Sequence, residues 1–170
     1  MNPLYTFNPK EVDVSIAGLI PLTGFANNSI IEIAKVVPNF TYKESPFDGS
    51  IARTKIKSNT YSIKLHFAQT SPSNNILSLI HNVDIGFGVG QFPLFVKDNS
   101  GTSSFYSTNT WIEIVPNLSL SGGIETRTWE LRSSFGVISV GGNDTSELNE
   151  ILGIASSALQ LLDPFTSLGV

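Results

Sequence analysis

The sequence contains no cysteine, so neither disulfide stapling nor a thiolate metal site is available to it. Charge is scarce as well. Only 14% of the residues are Asp, Glu, Lys or Arg, where an ordinary soluble domain carries about a quarter. The formal net charge is −4, the wrong sign for a protein that grips DNA by neutralising phosphates. Weak acidity repels DNA and suits a surface that DNA slides past. No apolar run approaches the roughly 20 residues of a membrane helix, which predicts no membrane insertion. The opening Met1-Asn2-Pro3-Leu4-Tyr5 lacks the basic and apolar regions of a secretory signal. Synthesis and use in a cytoplasm are therefore expected, and sequons such as Asn39-Phe40-Thr41 carry no meaning.

In place of charge the chain has Ser, Thr, Asn and Gly beside 41% hydrophobic residues. That mixture is too apolar for disorder. It suits a β protein whose surfaces meet other proteins, since interface cores are depleted in charge. A length of 170 residues supports one core.

Alternation locates the strands. Val12, Val14 and Ile16 alternate with Asp13 and Ser15, and Pro21 between Gly18 and Gly24 predicts a hairpin or bulge. The β-branched residues 29–37 make a second strand. Residues 38–49 carry Pro38, Pro46 and the turn Asp48-Gly49, and read as an excursion away from the sheet. An excursion of that length usually has a function. Its aromatic content, Phe40, Tyr42 and Phe47, points to a protein interface, where exposed aromatics act as anchors.

Strand character returns over residues 51–69, with Tyr61, Ile63, Leu65 and Phe67 on one face and Ser62, Lys64, His66 and Ala68 on the other. Residues 58–60 are expected to form a turn or bulge. A short helix follows, capped by Ser71 with Pro72 at its first position and Ile76, Leu77 and Ile80 on one face, and Gly86 to Gly90 end it. Three more strands are expected around residues 92–97, 111–115 and 127–140, with a hairpin turn at Asp98-Asn99-Ser100-Gly101 and a break at Ser121-Gly122-Gly123. Beyond Asp144 and Glu147, the residues Leu148, Ile151, Leu152, Ala155, Leu159 and Leu162 recur at helical spacing up to Asp163-Pro164. The expected fold is mainly β: an antiparallel β-sandwich or partly open barrel with one internal helix and a C-terminal amphipathic helix. Residues 1–142 form the β domain, and residues 143–170 form a helical extension that packs on the same or a neighbouring subunit.

Little in the sequence points to catalysis. His66 lies on the polar face of a strand and His81 at the expected end of the helix, and neither converges with carboxylates in the pattern of a metal or catalytic site. The run Gly86-Phe87-Gly88-Val89-Gly90 follows a helix and precedes a strand, the reverse of a dinucleotide loop. There is no G-x-S-x-G elbow. Asp13, Glu32, Glu113 and Glu130 are scattered along strands with no spacing that pairs them. Arg53, Lys55 and Lys57 alternate along one strand face. A nucleic-acid groove, a charged edge that resists wrong pairing, or salt bridges to an acidic neighbour all fit them, and the missing basic surplus favours the last two. The chain is expected to be no enzyme and to need no cofactor or metal.

One stretch resembles a known family. From Thr41 to Pro72 a polar excursion leads through a D-G turn, a basic strand and an alternating strand into Thr70-Ser71-Pro72-Ser73-Asn74, with Leu77 in the helix that follows. Farther on, Pro116, Gly122-Gly123 and Trp129 repeat a strand, Gly-Gly turn, Trp-centred strand order. Over residues 12–140 this resembles the tail tube proteins of contractile-tailed bacteriophages, a superfamily shared with pyocin-like particles and type VI secretion tubes. The resemblance implies a virion protein, assembled in the bacterial cytoplasm, that forms stacked homohexameric rings. Strands from every subunit would close a β-barrel around a lumen through which DNA passes without specific binding. Tail sheath, baseplate and tape-measure proteins would be its partners. Phe40, Tyr42, Lys43, Glu44, Phe47 and Asp48 are the expected ring-to-ring contact. The rival readings are a β-sandwich binding module, a hydrolase with dispersed carboxylates, and a tube terminator or baseplate tube-like subunit.

Overall fold

The computed structural model describes residues 7–143 and residue 156. The extension expected from Asp144 onward lies outside the described residues, Ser156 apart. Within residues 7–143, nine strands and one α-helix follow a short 3₁₀ turn at Pro9–Glu11. They are β1 (Val12–Ile16), β2 (Ile20–Leu22), β3 (Ile31–Lys35), β4 (Phe40–Glu44), β5 (Ile51–Lys55), β6 (Tyr61–Ala68), α1 (Ser73–Phe87), β7 (Phe92–Asp98), β8 (Ser104–Ile114) and β9 (Thr126–Ser139). Seven strands make one antiparallel sheet in the order β2-β1-β7-β8-β9-β6-β3, and β4-β5 stand apart as a two-stranded ribbon.

The alternation in β6 sets the sheet's inner face. Tyr61, Ile63, Leu65 and Phe67 are buried while the residues between them are half-exposed. The registers Ile63↔Leu131 and Leu65↔Trp129 carry that face onto β9. Phe105 and Ile112 of β8, Phe92 and Leu94 of β7, Val14 and Ile16 of β1 and Leu22 of β2 complete the core. Each large apolar side chain so buried contributes about 1.5–3 kcal/mol. The sheet rolls over because the chain leaving β2 lands on the far side. Ala26 N–H donates to His66 O at 2.8 Å, Ala68 N–H donates to Gly24 O at 2.9 Å, and Phe25 bridges and stacks on Phe67. Among the described residues no ladder joins β1 to β3. The result is a partly open roll.

The helix is locked on by the same Ser-Pro-Ser-Asn run that stood out in the sequence. The N-cap position falls on Pro72, one residue later than expected; Ser71 Oγ accepts from Ser73 N–H and donates to Thr23 O at 2.5 Å. Thr23 N–H in turn donates to Ser73 Oγ. Asn74 Nδ2 donates to Ala68 O at 3.0 Å, and its Oδ1 accepts from Trp129 Nε1 at 2.9 Å. A Cβ on Gly24 (φ 74°) would stand 2.7 Å from Ser71 Oγ, so only glycine lets the strand approach this closely. Leu77 is fully buried and Ile76 and Ile80 pack against the core, as the helical spacing predicts. The helix runs past His81 to Phe87, where Gly88 closes it in the left-handed region (φ 68°). His81 is therefore mid-helix and not at its end. Asp84, which accepts from the amides of Gly88 and Gly90, sets the stop six residues farther on.

Candidate assembly surface

The excursion at residues 38–49 is the first arm of a β-hairpin. The basic strand is its second arm and does not continue into β6. The chain breaks at residues 56–60, where Ile56 N–H closes the ribbon's base on Asn39 O at 2.8 Å and Asn59 Nδ2 reaches Gly136 O at 2.6 Å. Phe40↔Lys55, Tyr42↔Arg53 and Glu44↔Ile51 are opposed, so these six residues share one face. The Arg53 guanidinium lies 4.1 Å over the Phe40 ring, a cation–π contact of about 0.5–1 kcal/mol at an exposed site. Lys43 opposes Ala52 on the other face. Lys57 lies beyond the end of β5, so the three cations do not form a continuous stripe.

The turn is built by side-chain hydrogen bonds. Asp48 Oδ1 accepts from Ser50 N–H at 3.1 Å and from Ser50 Oγ at 2.8 Å, and Gly49 takes the left-handed conformation (φ 69°) the turn needs. Hydrogen bonding from the Ser45 hydroxyl, then from the Ser50 amide and hydroxyl, lowers the Asp48 pKa to about 2. No residue of β4 or β5 is buried. Phe47 is 97% exposed at the tip and Tyr42 76%. The structure thus gathers all six expected contact residues on one protruding ribbon.

The outer face of the sheet has two characters. Glu32, Lys64 and Glu130 stand side by side across β3, β6 and β9, with Lys64 Nζ 3.6 Å from Glu130. Arg132 binds Glu113 at 2.6 Å on the same face. His66 Nδ1 lies 3.0 Å from Thr128 Oγ1, and its Nε2 is 3.3 Å from Glu32. Asn99 donates to Asp13 at 2.6 Å. Glu32, Glu113 and Glu130 are thus engaged in strand-to-strand contacts, and Asp13 is held by the β7–β8 turn. Among the described residues no group of three or more His, Cys, Asp or Glu is placed to hold a metal.

On the other half of the outer face, Phe95, Tyr106 and Val137 lie in one row across β7, β8 and β9, all exposed, with the two rings 4.6 Å apart. Sequence reasoning missed this row. Its signal was the run Phe92-Pro93-Leu94-Phe95-Val96, apolar at both alternating positions, which marks a strand covered on both faces. The helix likewise exposes Leu79, Ile85 and Phe87. Among the described residues no helix is long and apolar enough to cross a membrane.

No family model matches the sequence. The structural protein ORF10 of Pseudomonas phage KPP10 is 30% identical over 145 residues, spanning 81% of this chain and 83% of that protein. Among solved structures, the tube-terminating cap of the anti-feeding prophage superposes with a TM-score of 0.56 at 14% identity, over 82% of this chain and 95% of that one. The sheath–tube complex of an extracellular contractile injection system gives 0.53 at 14% identity over 80% and 93%. The sheath/tube terminator of the same system gives 0.53 at 14% over 81% and 99%. At such identities the structural likenesses establish the fold, and the phage relative establishes kinship. The chain belongs to a family of phage structural proteins, and its fold is one also found in the tube-terminating cap, sheath–tube complex and sheath/tube terminator of contractile injection systems.

Proposed function

We propose that the protein is the tube subunit of a phage tail, forming homohexameric rings that stack into a hollow tube inside the virion. The observation that carries this reading is the β4–β5 ribbon. It has no buried residue, presents Phe40, Tyr42 and Phe47 to the outside, and is held in shape by its own turn. Exposed aromatics anchor protein interfaces, and an exposed ribbon invites pairing unless a partner covers it. A head-to-tail contact through such a feature generates an open stack. Phe40, Tyr42, Lys43, Glu44, Phe47 and Asp48 contact the next ring, and Arg53 completes their aromatic face. Within a ring, the unpaired outer edges of β2 and β3 meet neighbouring subunits and close a continuous barrel.

The half of the outer face that carries Glu32, Lys64, Glu113, Glu130 and Arg132 faces the lumen. Three carboxylates against two cations leave it polar and slightly acidic, so DNA passes without sticking. Sheath, baseplate and tape-measure proteins are the remaining partners.

A second reading is favoured by the cap and the sheath/tube terminator among the structural likenesses: a subunit that forms one ring and ends the tube. Electron microscopy of the purified protein separates the two. The tube reading expects stacked rings, and the terminator reading expects single rings that do not stack. Deleting residues 41–48 is expected to abolish stacking, and tubes of normal length from that variant would overturn the assignment of the ribbon.

A further inference from the structure

The β6–β9 pair has two differently equipped ends. At one end, where Tyr61 pairs with Ser133, the ribbon is rooted. Asn59 Nδ2 donates to Gly136 O there, and Ile56 N–H closes the ribbon's base on Asn39 O. At the other end, where Ala68 pairs with Thr126, the chain leaves for α1, and the β8–β9 connection (residues 115–125) enters β9. Ser133 and Arg127 are six positions apart along β9, which separates the two ends by about 20 Å.

A cleft of about 290 Å³ opens at this second end, between α1 and the β8–β9 connection. His81 and Asn82 line it from the helix, Val115, Pro116 and Leu118 from the connection, and β9 adds Arg127 and Trp129. Trp129 is buried, whereas Val115, Leu118 and Asn82 are exposed, so the rim is open to solvent. The lining holds Arg127 and His81 and no carboxylate. Neither the Arg127 guanidinium nor the His81 ring has a hydrogen-bonding partner among the described residues. Glu125, two positions before Arg127, is taken up by hydrogen bonds from the Ser121 and Ser119 hydroxyls. The ribbon tip is the complement of this cleft. Residues 44–50 carry Glu44 and Asp48 and no Lys or Arg. Ser45 and Ser50 hold Asp48 in its charged form, and Phe47 lies between the two carboxylates in the chain, 97% exposed. The cations Lys43, Arg53 and Lys55 sit nearer the ribbon's base.

We propose that the ribbon tip of one subunit seats in this cleft of a second copy, with Phe47 against Val115, Pro116 and Leu118 and the tip carboxylates toward Arg127. A subunit with a knob rooted at one end of β6–β9 and a socket at the other binds its own copy head to tail, a contact that repeats without closing. The exposed aromatic supplies the anchor, and the opposed charges fix partner and register. The assignment rests on the ribbon as the stacking element and adds the surface that receives it.

The chain has no cysteine, so introduced thiols report contact between copies. Full-length Pro46→Cys, beside Phe47 at the tip, is mixed with a differently tagged Leu118→Cys or Asn82→Cys chain, assembled and oxidised. A disulfide joining the two tags is expected from at least one pairing. None is expected from Pro46→Cys with Tyr106→Cys on the outer face of the sheet. Stacks visible by electron microscopy without a tip-to-cleft disulfide would overturn the cleft and leave the ribbon as the stacking element. Equal cross-linking to Tyr106→Cys would do the same. Single rings that never stack would overturn the tube reading and this contact with it. A second measurement leaves the tip intact. Arg127→Glu is expected to raise the protein concentration needed for stacking about tenfold, because it sets like charges against the tip. Stacking of that variant at the parent's concentration would sink the proposal.

Discussion

Two antiparallel strand pairs in this molecule obey the same hydrogen-bonding rule and otherwise differ. β6 and β9 are joined through eight registered pairs. One face is filled by Ile63, Leu65, Phe67, Trp129 and Leu131, and the other is laced by Lys64–Glu130 and His66–Thr128. β4 and β5 are joined through five pairs, and neither face touches the core. A lone two-stranded ribbon is marginal in water, so β4–β5 depends on its turn, its base at Asn39 and the Arg53–Phe40 contact. The contrast separates strands that build the subunit from strands that project from it. Mutations in the first pair should act on folding, and mutations in the second on association.

The largest effect is expected from Leu65→Ala, which empties a fully buried site on β6 and should cost about 2–5 kcal/mol. For a chain of this size that lowers the melting temperature by roughly 5–15 °C. A shift under a couple of degrees would mean that the β6–β9 face is not the core. Next is Asn74→Ala. It strands the indole N–H of Trp129 and leaves the carbonyl of Ala68 with the Ser71 amide as its remaining donor, a loss of about 1–3 kcal/mol because the indole N–H left behind is buried. Asn74→Asp keeps an acceptor for Trp129 and loses the donor to Ala68. It therefore tests whether the indole bond or the backbone bond matters more, read as two melting temperatures.

How much of this was legible in the sequence follows the same division. β6, the β1–β2 and β7–β8 hairpins and the helix were readable because each has a buried side, and burial imposes a period on the residues. β4 was read as irregular because neither of its faces is buried. Pro38 and Pro46 flank it, and its only apolar alternation is the pair Phe40 and Tyr42. β5 and β6 were read as one stretch interrupted by a turn or bulge at residues 58–60; the break is there, but alternation alone does not reveal that pairing changes partner across it. β9 runs over nearly its expected span, whereas β8 begins seven residues before its expected start, because bulges at Asn109 and near Ile112 shift the register along it and so break the period. The buried relay Thr110–Ser107–Ser133, with hydroxyls 2.9 and 2.6 Å apart, reads in sequence as surface. The proposed contact residues on the ribbon were singled out from its aromatic content, Phe40, Tyr42 and Phe47. The Phe95–Tyr106–Val137 row needed the strand register to bring it together.

The ribbon predictions are smaller in stability and sharper in meaning. Tyr42→Ala with Phe47→Ala removes two side chains that touch no core, so the free subunit should change by less than about 0.5 kcal/mol each. Ring stacking, read by electron microscopy or by sedimentation, should be lost. If the double variant melts well below the parent, the ribbon contributes to the fold and the division drawn here fails.

The smallest expected effect concerns pH. The folded Asp48 carboxyl titrates near 2, below its ordinary 3.8, because Ser45 and Ser50 hydrogen-bond its charged form. A lowered folded-state value means that the carboxylate favours the ordered turn fully above pH 3.8, and that this contribution fades as pH falls toward 2. The group is fully exposed, so global stability should be almost indifferent to it. The local readout is the amide of Ser50, which donates to Asp48 Oδ1 at 3.1 Å. Its NMR shift should stay constant down to about pH 4 and move with a midpoint near 2, while Asp48→Asn should hold it flat across the range. A midpoint near 3.8 would mean that the Ser45–Ser50 cage does not form in the free subunit. The ribbon tip would then acquire its shape only against a partner, and the line between what the chain builds alone and what it builds by association would move from the base of the hairpin to its turn.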